Sequence, residues 1–249
     1  MINLENIPTS PPKNLKRKDI AKITLQLKAE MADLQHKLLA QRKYSLLVVF
    51  QGLDAAGKDG SIKNVFSEIP AFGISVSNFK VPTQKELAHD FLWRVHSETP
   101  EKGMIKAFNR SHYEDVLITR ALGLVSDEEA KKRFRMINNF EEIVQSNNTK
   151  IIKFYLHISF KMQEERLKKR MKDPTRFYKH GDEDWKVRKQ WDDYRTYYHE
   201  IFENTQEFAP WHVIPVDRKW YRDYLMCKIV VQELRKLALE YPPLDSDMV

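Results

Sequence analysis

Nine residues carry the densest chemistry in the chain: Gly52-Leu53-Asp54-Ala55-Ala56-Gly57-Lys58-Asp59-Gly60. They fit the pattern G-x-x-x-x-G-K, in which glycines let the backbone curl until several N–H groups point into one cradle. Phosphate oxygens suit such a cradle. A helix starting behind it adds partial positive charge, and the lysine adds a full one. Three of the chain's seven glycines fall in this stretch. Gly52, Ala55, Ala56, Gly57, Lys58, Asp59 and Gly60 are therefore the candidate phosphate binders. The competing reading is a glycine-rich turn that merely caps a helix.

Two residues of the loop are unusual. Asp59 stands where a hydroxyl residue ordinarily follows the lysine to bind Mg²⁺. Asp54 puts a carboxylate into a cradle built for anions, which costs repulsion unless a cation or a proton intervenes. It is a metal ligand, a base toward an attacking phosphate, or a turn-former facing outward. A second cluster follows at Ile105-Lys106-Ala107-Phe108-Asn109-Arg110-Ser111. Asn109 occupies the strand end where a phosphoryl-transfer enzyme commonly carries its Mg²⁺-binding acid. Arg110 is suited to grip phosphate oxygens bidentately. Glu114 and Asp115 either restore the missing negative charge for a metal or open a helix whose dipole favours acids.

Farther on, Arg166, Lys168, Lys169, Arg170, Lys172, Arg176 and Lys179 lead into a stretch without clean periodicity. A solvated helix face explains most such runs. A basic run before a loop also fits a lid that closes over phosphates, with Arg176 neutralising charge on the transferring group. The aromatics Phe177, Tyr178, Trp185, Trp191, Tyr194, Tyr197 and Tyr198 read as packing rather than base stacking. His89, His96, His112, His157, His180 and His212 lack zinc-ligand spacing.

Alternating strands and helices must position these residues. Ile20, Ile23, Leu27, Met31, Leu34 and Leu38 form an amphipathic stripe. The apolar run Leu46–Phe50 reads as a buried strand entering the glycine loop, and Ser61–Ile69 as the helix leaving it. Strand character recurs at Ile74–Val81, Met104–Phe108, Lys150–Ile158 and Trp211–Val216. Thr83 with Glu86, and Ser126 with Glu129, have capping-box spacing before helices expected to reach His96 and Gln145. A basic helix is expected over Lys161–Met171, a loop over Asp173–Asp184, a helix over Glu183–Asn204 and a last helix over Trp220–Glu240. Such alternation implies an α/β fold, a three-layer arrangement around a parallel sheet. Residues 1–19 are expected to be a flexible basic arm. Residues 20–249 are expected to be a single domain whose helical lid spans about 166–190.

Composition bounds the rest. The chain has 249 residues, 42% hydrophobic and 31% charged, an ordinary globular composition. No apolar run approaches a membrane span, and no secretory signal is visible. The single cysteine, Cys227, cannot form an internal disulfide, which points to a reducing compartment such as the cytoplasm. The net charge of +7 suits a polyanionic partner without choosing among nucleic acid, anionic membrane and phosphate-rich substrate.

Five blocks together resemble the polyphosphate kinase 2 family: GLDAAGKDG at Gly52–Gly60, FKVPT at Phe79–Thr83, HDFLWRVH at His89–His96, FNRSHYEDVL at Phe108–Leu117 and APWHVIPVDRKWY at Ala209–Tyr221. The resemblance runs over residues 40–240. It implies a P-loop kinase fold related to thymidylate kinase. It also implies Mg²⁺-dependent phosphoryl transfer, with Mn²⁺ as a substitute, between inorganic polyphosphate and AMP or ADP. Asp54 and Lys58 match the family's loop aspartate and lysine, and Asn109 and Arg110 its second motif. Asp115 matches an acid found in part of the family. The HDFLWRVH block, with Arg94 as a nucleotide-site candidate, resembles the branch that accepts AMP as well as ADP. Arg176 corresponds less closely to the family's lid arginine, because FYKHGDEDW departs from the usual wording. With the resemblance, Asp54, Lys58, Arg110 and Arg176 are the catalytic candidates and Asp54 and Asp115 metal candidates, to which the residue reading adds Glu114. A basic channel along Lys80, Arg120, Arg133, Lys169 and Arg170 would hold the polyphosphate. Nucleic acid and membrane are not expected partners; a homo-oligomer is expected. The alternatives are an ATP-dependent nucleotide or nucleoside kinase on the same fold, and a non-catalytic polyanion-binding protein.

Overall fold

A computed structural model describes residues 2–179 and 181–244. His180, and the side chain of Lys179 in the basic run, lie outside the described residues. The apolar run after α1 (Arg17–Gln41) becomes β1 (Ser45–Gln51), buried along its whole length. Leu46, Val48 and Phe50 face one core, and Leu47 and Val49 the other. A strand covered on both faces needs apolar residues at both phases, which is why its sequence runs continuously hydrophobic.

The chain continues through α2 (Lys58–Val65), β2 (Ile74–Asn78), single turns α3 (Gln84–Leu87) and α4 (Trp93–His96), and β3 (Ile105–Asn109). A 3-10 turn at His112–Val116, α5 (Ile118–Ala121), α6 (Asp127–Ser146), β4 (Thr149–His157) and α7 (Phe160–Lys172) follow. A 3-10 turn at Pro174–Lys179, α8 (Asp182–Lys189), α9 (Trp191–Asn204), β5 (Trp211–Pro215) and α10 (Lys219–Arg235) complete it. All strand pairs are parallel, in the order β2-β3-β1-β4-β5. β1 lies between β3 and β4, and the connections out of the neighbouring strands β1 and β3 run toward opposite edges, to β2 and β4. The crevice at the carboxyl ends of these strands is where such sheets bind ligands.

On one face, α1 and α10 contribute Met31, Leu34, Leu38, Met226, Val230 and Leu234 to a shared core with α2. Arg235 clasps Glu30 through two nitrogens at 2.6 and 2.8 Å. The N-terminal helix therefore packs on its own chain. On the other face, α6 and α9 bring Phe134, Ile137, Phe140, Tyr198, Ile201 and Phe202 together.

Four stretches differ from expectation, and the first is the loop expected over Asp173–Asp184, which holds the 3-10 turn at Pro174–Lys179 and the start of α8. The Thr83 capping box forms, yet the helix stops after one turn, and a second short turn begins at Trp93. Between them Asp90 accepts the amide of Leu92, a side-chain turn that competes with helix. The helix expected over Glu183–Asn204 breaks at Gln190 into α8 and α9. Finally, the arm expected to be flexible is docked. Leu4 is buried in the second core, His157 Nε2 lies 3.0 Å from Ile7 O, and Thr9 Oγ1 donates to Asp217 at 2.7 Å. Its apolar residues are few and irregularly spaced, so no periodicity announces the contact.

The second core holds a charged network. Lys153, in the middle of β4, donates to both Glu141 oxygens at 2.7 and 3.0 Å, to Tyr113 OH at 2.8 Å and to Thr205 O at 2.6 Å. Burial works against Glu141 ionising, but Lys153 and His112 outweigh it and hold the carboxyl below its usual range. Removing one partner strands a buried charge. Lys153→Met is expected to destabilise the fold by about 3–5 kcal/mol in urea denaturation. Cys227 is fully buried and its thiol is pushed up to about 12. It should therefore stay unreactive toward a thiol reagent at pH 8 until the protein unfolds.

Candidate active site

β1 ends at Gln51, and the loop over residues 52–57 turns the chain into α2. Gly52 (φ 144°) and Gly57 (φ 102°) hold backbone angles that L side chains avoid. A Cβ at Gly57 would also lie 2.9 Å from Arg222 Nη1. Ala55 takes a left-handed φ of 62°, at a cost of about 1 kcal/mol. Lys58, Asp59 and Gly60 form the first turn of α2, whose amides have no intrahelical acceptor. The loop and helix start thus offer a row of N–H donors at the positive end of a dipole.

Parallel pairing of β1 with β3 sets the second half of the site beside the first. Phe50 lies opposite Asn109, and the Arg110 amide donates to Phe50 O at 3.1 Å. Arg110 has φ 61°, and this sharp exit turns its side chain over the loop. Its Nη2 donates to Asp54 Oδ1 at 2.9 Å. Lys58 arches across the loop and donates from Nζ to Gly52 O at 2.6 Å. Asp54, Lys58, Arg110 and Glu114 line one cleft, with Leu53, Leu117, Ile118, Val187, Tyr194 and Tyr198 as its less polar wall.

The charges in this cleft are mutually dependent. Burial disfavours an ionised Asp54, yet Lys58, Arg110 and Arg170 outweigh it and hold the carboxyl below its usual range. Burial, then Arg110, lowers the Lys58 ammonium, against Asp54 and Glu114. Burial raises the Glu114 carboxyl despite Arg110 and Lys58. Burial also raises the Tyr194 phenol to about 12. Two carboxylates in a phosphate cleft fit Mg²⁺, which takes one or two protein carboxylates and completes its shell with water and phosphate oxygens. Among the described residues, no three His, Cys, Asp or Glu side chains converge on a common point.

The family model of polyphosphate kinase 2 matches residues 14–241. This chain belongs to the polyphosphate kinase 2 family. It is 44% identical over 217 residues to the AMP/ADP-polyphosphate phosphotransferase of Meiothermus ruber, covering 87% of this chain and 81% of that protein. It is 37% identical over 225 residues to the ADP-polyphosphate phosphotransferase of Rhodopseudomonas palustris, covering 85% and 78% respectively. The crystal structure of polyphosphate kinase 2 from Arthrobacter aurescens superposes with a TM-score of 0.94 at 35% identity, over 98% of this chain and 89% of that one.

Within this polyphosphate kinase 2 member, some candidate residues sit in the cleft and others do not. Asp54, Lys58, Arg110 and Glu114 meet there. Asn109 does not line it. Its Nδ2 donates to Asp59 Oδ1 and Asn78 Oδ1, both at 2.8 Å, tying β3 to β2 and to the start of α2. Asp115 is turned away from its neighbour Glu114 and lies 3.5 Å from Arg94, with burial pushing its carboxyl up to about 6. Arg94 also donates to Lys80 O at 2.9 Å and covers the Phe79 ring. In this arrangement Asp115 and Arg94 form a buried pair that fixes the loop before α3, and neither lines the cleft.

The expected polyphosphate channel is also redrawn. Arg120 is held by Asp127 at 2.6 Å and Glu200 at 2.8 Å and covers the Tyr197 ring, so its charge is already matched. Arg133 donates to Asp115 O at 2.9 Å, behind the cleft. Lys80 and Lys169 are exposed. Arg170 lies 3.0 Å from Asp184 while its charge is felt at Asp54. Arg176 pairs with Asp173 at 2.8 Å on the exposed 3-10 turn and does not line the cleft. Burial, and then the charges of Arg166, Arg222, Arg176 and Lys169, lower the Lys219 ammonium.

Among the residues that touch the loop from outside, sequence reasoning missed Gln163 and Arg222 and placed Arg166 in a lid run and Tyr198 in the core. Gln163 donates to Asp54 O at 3.1 Å, and Arg166 to Ala55 O and Ala56 O at 3.0 and 2.9 Å. Arg222 Nη1 lies 3.4 Å from Gly57 O. Tyr198 OH accepts the Gly52 amide at 3.1 Å. Arg222 immediately follows the APWHVIPVDRKWY block, which was the available signal. Tyr198 packs in the core as expected, and its hydroxyl does this second task.

At Gly57 strain and crowding coincide. Gly57→Ala is expected to weaken binding of inorganic tripolyphosphate by at least about tenfold in calorimetry, through displacement of the loop amides.

Proposed function

We propose that this protein transfers a terminal phosphoryl group from inorganic polyphosphate to AMP or ADP, giving ADP or ATP, and runs the reverse reaction at the same site. The observation that carries this reading is the single cleft in which Lys58 and Arg110 flank a row of loop amides, beside two carboxylates. Phosphoryl transfer asks little covalent work of the protein; positioning and charge stabilisation do most of it. An acceptor phosphate oxygen attacks the terminal phosphorus, and the bridging oxygen leaves on the shortened chain. Loop amides hold the oxygens of one phosphate, while Lys58 and Arg110 stabilise the charge that spreads in the loose transition state.

Asp54, ionised among these cations, and Glu114 are the residues that would hold Mg²⁺ or Mn²⁺. A divalent ion held there would offset the repulsion between the phosphates and these carboxylates. Lys80, Lys169 and Arg170 remain our candidates for contacts along the polymer. Arg176 is our candidate for a residue that arrives with a closing lid over residues 166–190, within one domain. A homo-oligomer in the cytoplasm completes the reading. No described helix is long and apolar enough to cross a membrane.

Incubation with Mg²⁺, ADP and polyphosphate is expected to yield ATP, an outcome that an ATP-dependent nucleoside kinase would not give. Lys58→Ala is expected to lower kcat by at least about a hundredfold, with the circular-dichroism melt unchanged. Near wild-type turnover in that variant would remove Lys58 from the mechanism.

A further inference from the structure

The loop's carbonyls are as organised as its amides. Lys58 holds Gly52 O, and the Ala56 amide holds Leu53 O at 3.1 Å. Gln163 holds Asp54 O, and one nitrogen of Arg166 holds both Ala55 O and Ala56 O. The other terminal nitrogen of Arg166 donates to Val216 O, just past β5. Gly57 O accepts from the Ser61 amide at 2.9 Å. A trans peptide is planar, so the C=O of one residue and the N–H of the next point in opposite directions. Holding the carbonyls of residues 54 and 56 toward α7 therefore turns the amides of Ala55 and Gly57 the other way, while the Ala56 amide is engaged by Leu53 O. Among the described residues, the Ala55 and Gly57 amides meet no backbone carbonyl.

The orientation of Gln163 is itself fixed. Arg188, on α8, donates to Gln163 Oε1 at 3.0 Å and to Phe160 O at 2.8 Å. A guanidinium only donates, so the oxygen of the Gln163 amide must face Arg188 and its nitrogen must face Asp54 O. Gln163 is fully buried and is not part of the cleft lining. Its influence on a phosphate must pass through the loop.

We propose that Gln163 and Arg166, one turn apart on α7, are positioning residues that set the aim of the phosphate-binding amides by holding three successive carbonyls from behind. The proposal deepens the phosphoryl-transfer reading and rests on it for the effect on turnover. It also makes the start of the expected lid a fixed part of the phosphate site. The side-chain chain Arg188–Gln163 then connects α8 to the Asp54 carbonyl.

Gln163→Glu tests this with little change of shape. The carboxylate keeps and strengthens the contact with Arg188, but loses the donor to Asp54 O and sets negative charge against it. Arg166→Lys keeps the charge but cannot span the loop and Val216 O together. The readouts are apparent melting temperature, calorimetric binding of inorganic tripolyphosphate, and kcat with ADP and polyphosphate. We expect Gln163→Glu to melt within about 3 °C of wild type, to bind tripolyphosphate at least about fivefold more weakly and to lose at least about tenfold in kcat. Arg166→Lys should show the same loss of binding and turnover. Binding and kcat within about twofold of wild type in Gln163→Glu would overturn the proposal. So would losses that merely track a large fall in melting temperature, or a wild type that binds no tripolyphosphate. A wild type that binds tripolyphosphate but makes no ATP would sink the functional reading alone, and the binding comparison would still decide the proposal.

Discussion

A row of backbone amides aimed at one point is an unstable object by itself. The aligned N–H dipoles repel one another, and the carbonyls behind them need partners of their own. In this chain every carbonyl of residues 52–57 has a donor: Lys58, Gln163, Arg166, Ser61 and the loop's own Ala56 amide. The rest of the site is arranged around that requirement. α7 and α10 are packed close enough to the loop for long side chains to reach its back, and the absence of a Cβ at Gly57 leaves room for Arg222.

The cleft's front is governed by the opposite problem, too many charges in little space. Asp54 is tolerable inside an anion site only because Lys58 and Arg110 sit beside it. Those two cations in turn repel each other, and Asp54 and Glu114 relieve them. The cluster is balanced as a set, so each member sets the protonation of its neighbours. The strand register is what delivers Arg110 to this set, since Asn109 lies opposite Phe50 and the chain leaves β3 one residue later.

The second core secures the turn that carries Glu114. Gln51 Nε2 donates to Ser111 Oγ at 3.0 Å, and Tyr113 is fixed between Lys153 and Glu141. A buried polar network of this kind is costly to assemble but admits few alternative arrangements. It holds the short segment between β3 and α5 against the sheet, with Glu114 facing the cleft and Asp115 facing Arg94.

Local signals in the sequence determined much of this. The continuous apolar run of β1, the capping serines and threonines, and the glycine spacing fixed the order of strands and helices and located Asp54, Lys58 and Arg110. These signals act within a few residues, and the family blocks extend them. Only the tertiary structure decided which charges remain available. Arg120 and Arg94 carry the same charge on paper as any arginine, yet each meets an acid brought to it by folding: Asp127 and Glu200 for the first, Asp115 for the second. Gln163 and Arg222 lie about 110 and 165 residues from the loop carbonyls they face. The docking of the N-terminal arm is decided the same way, because pairing across such separations depends on the packing of whole elements rather than on any local pattern.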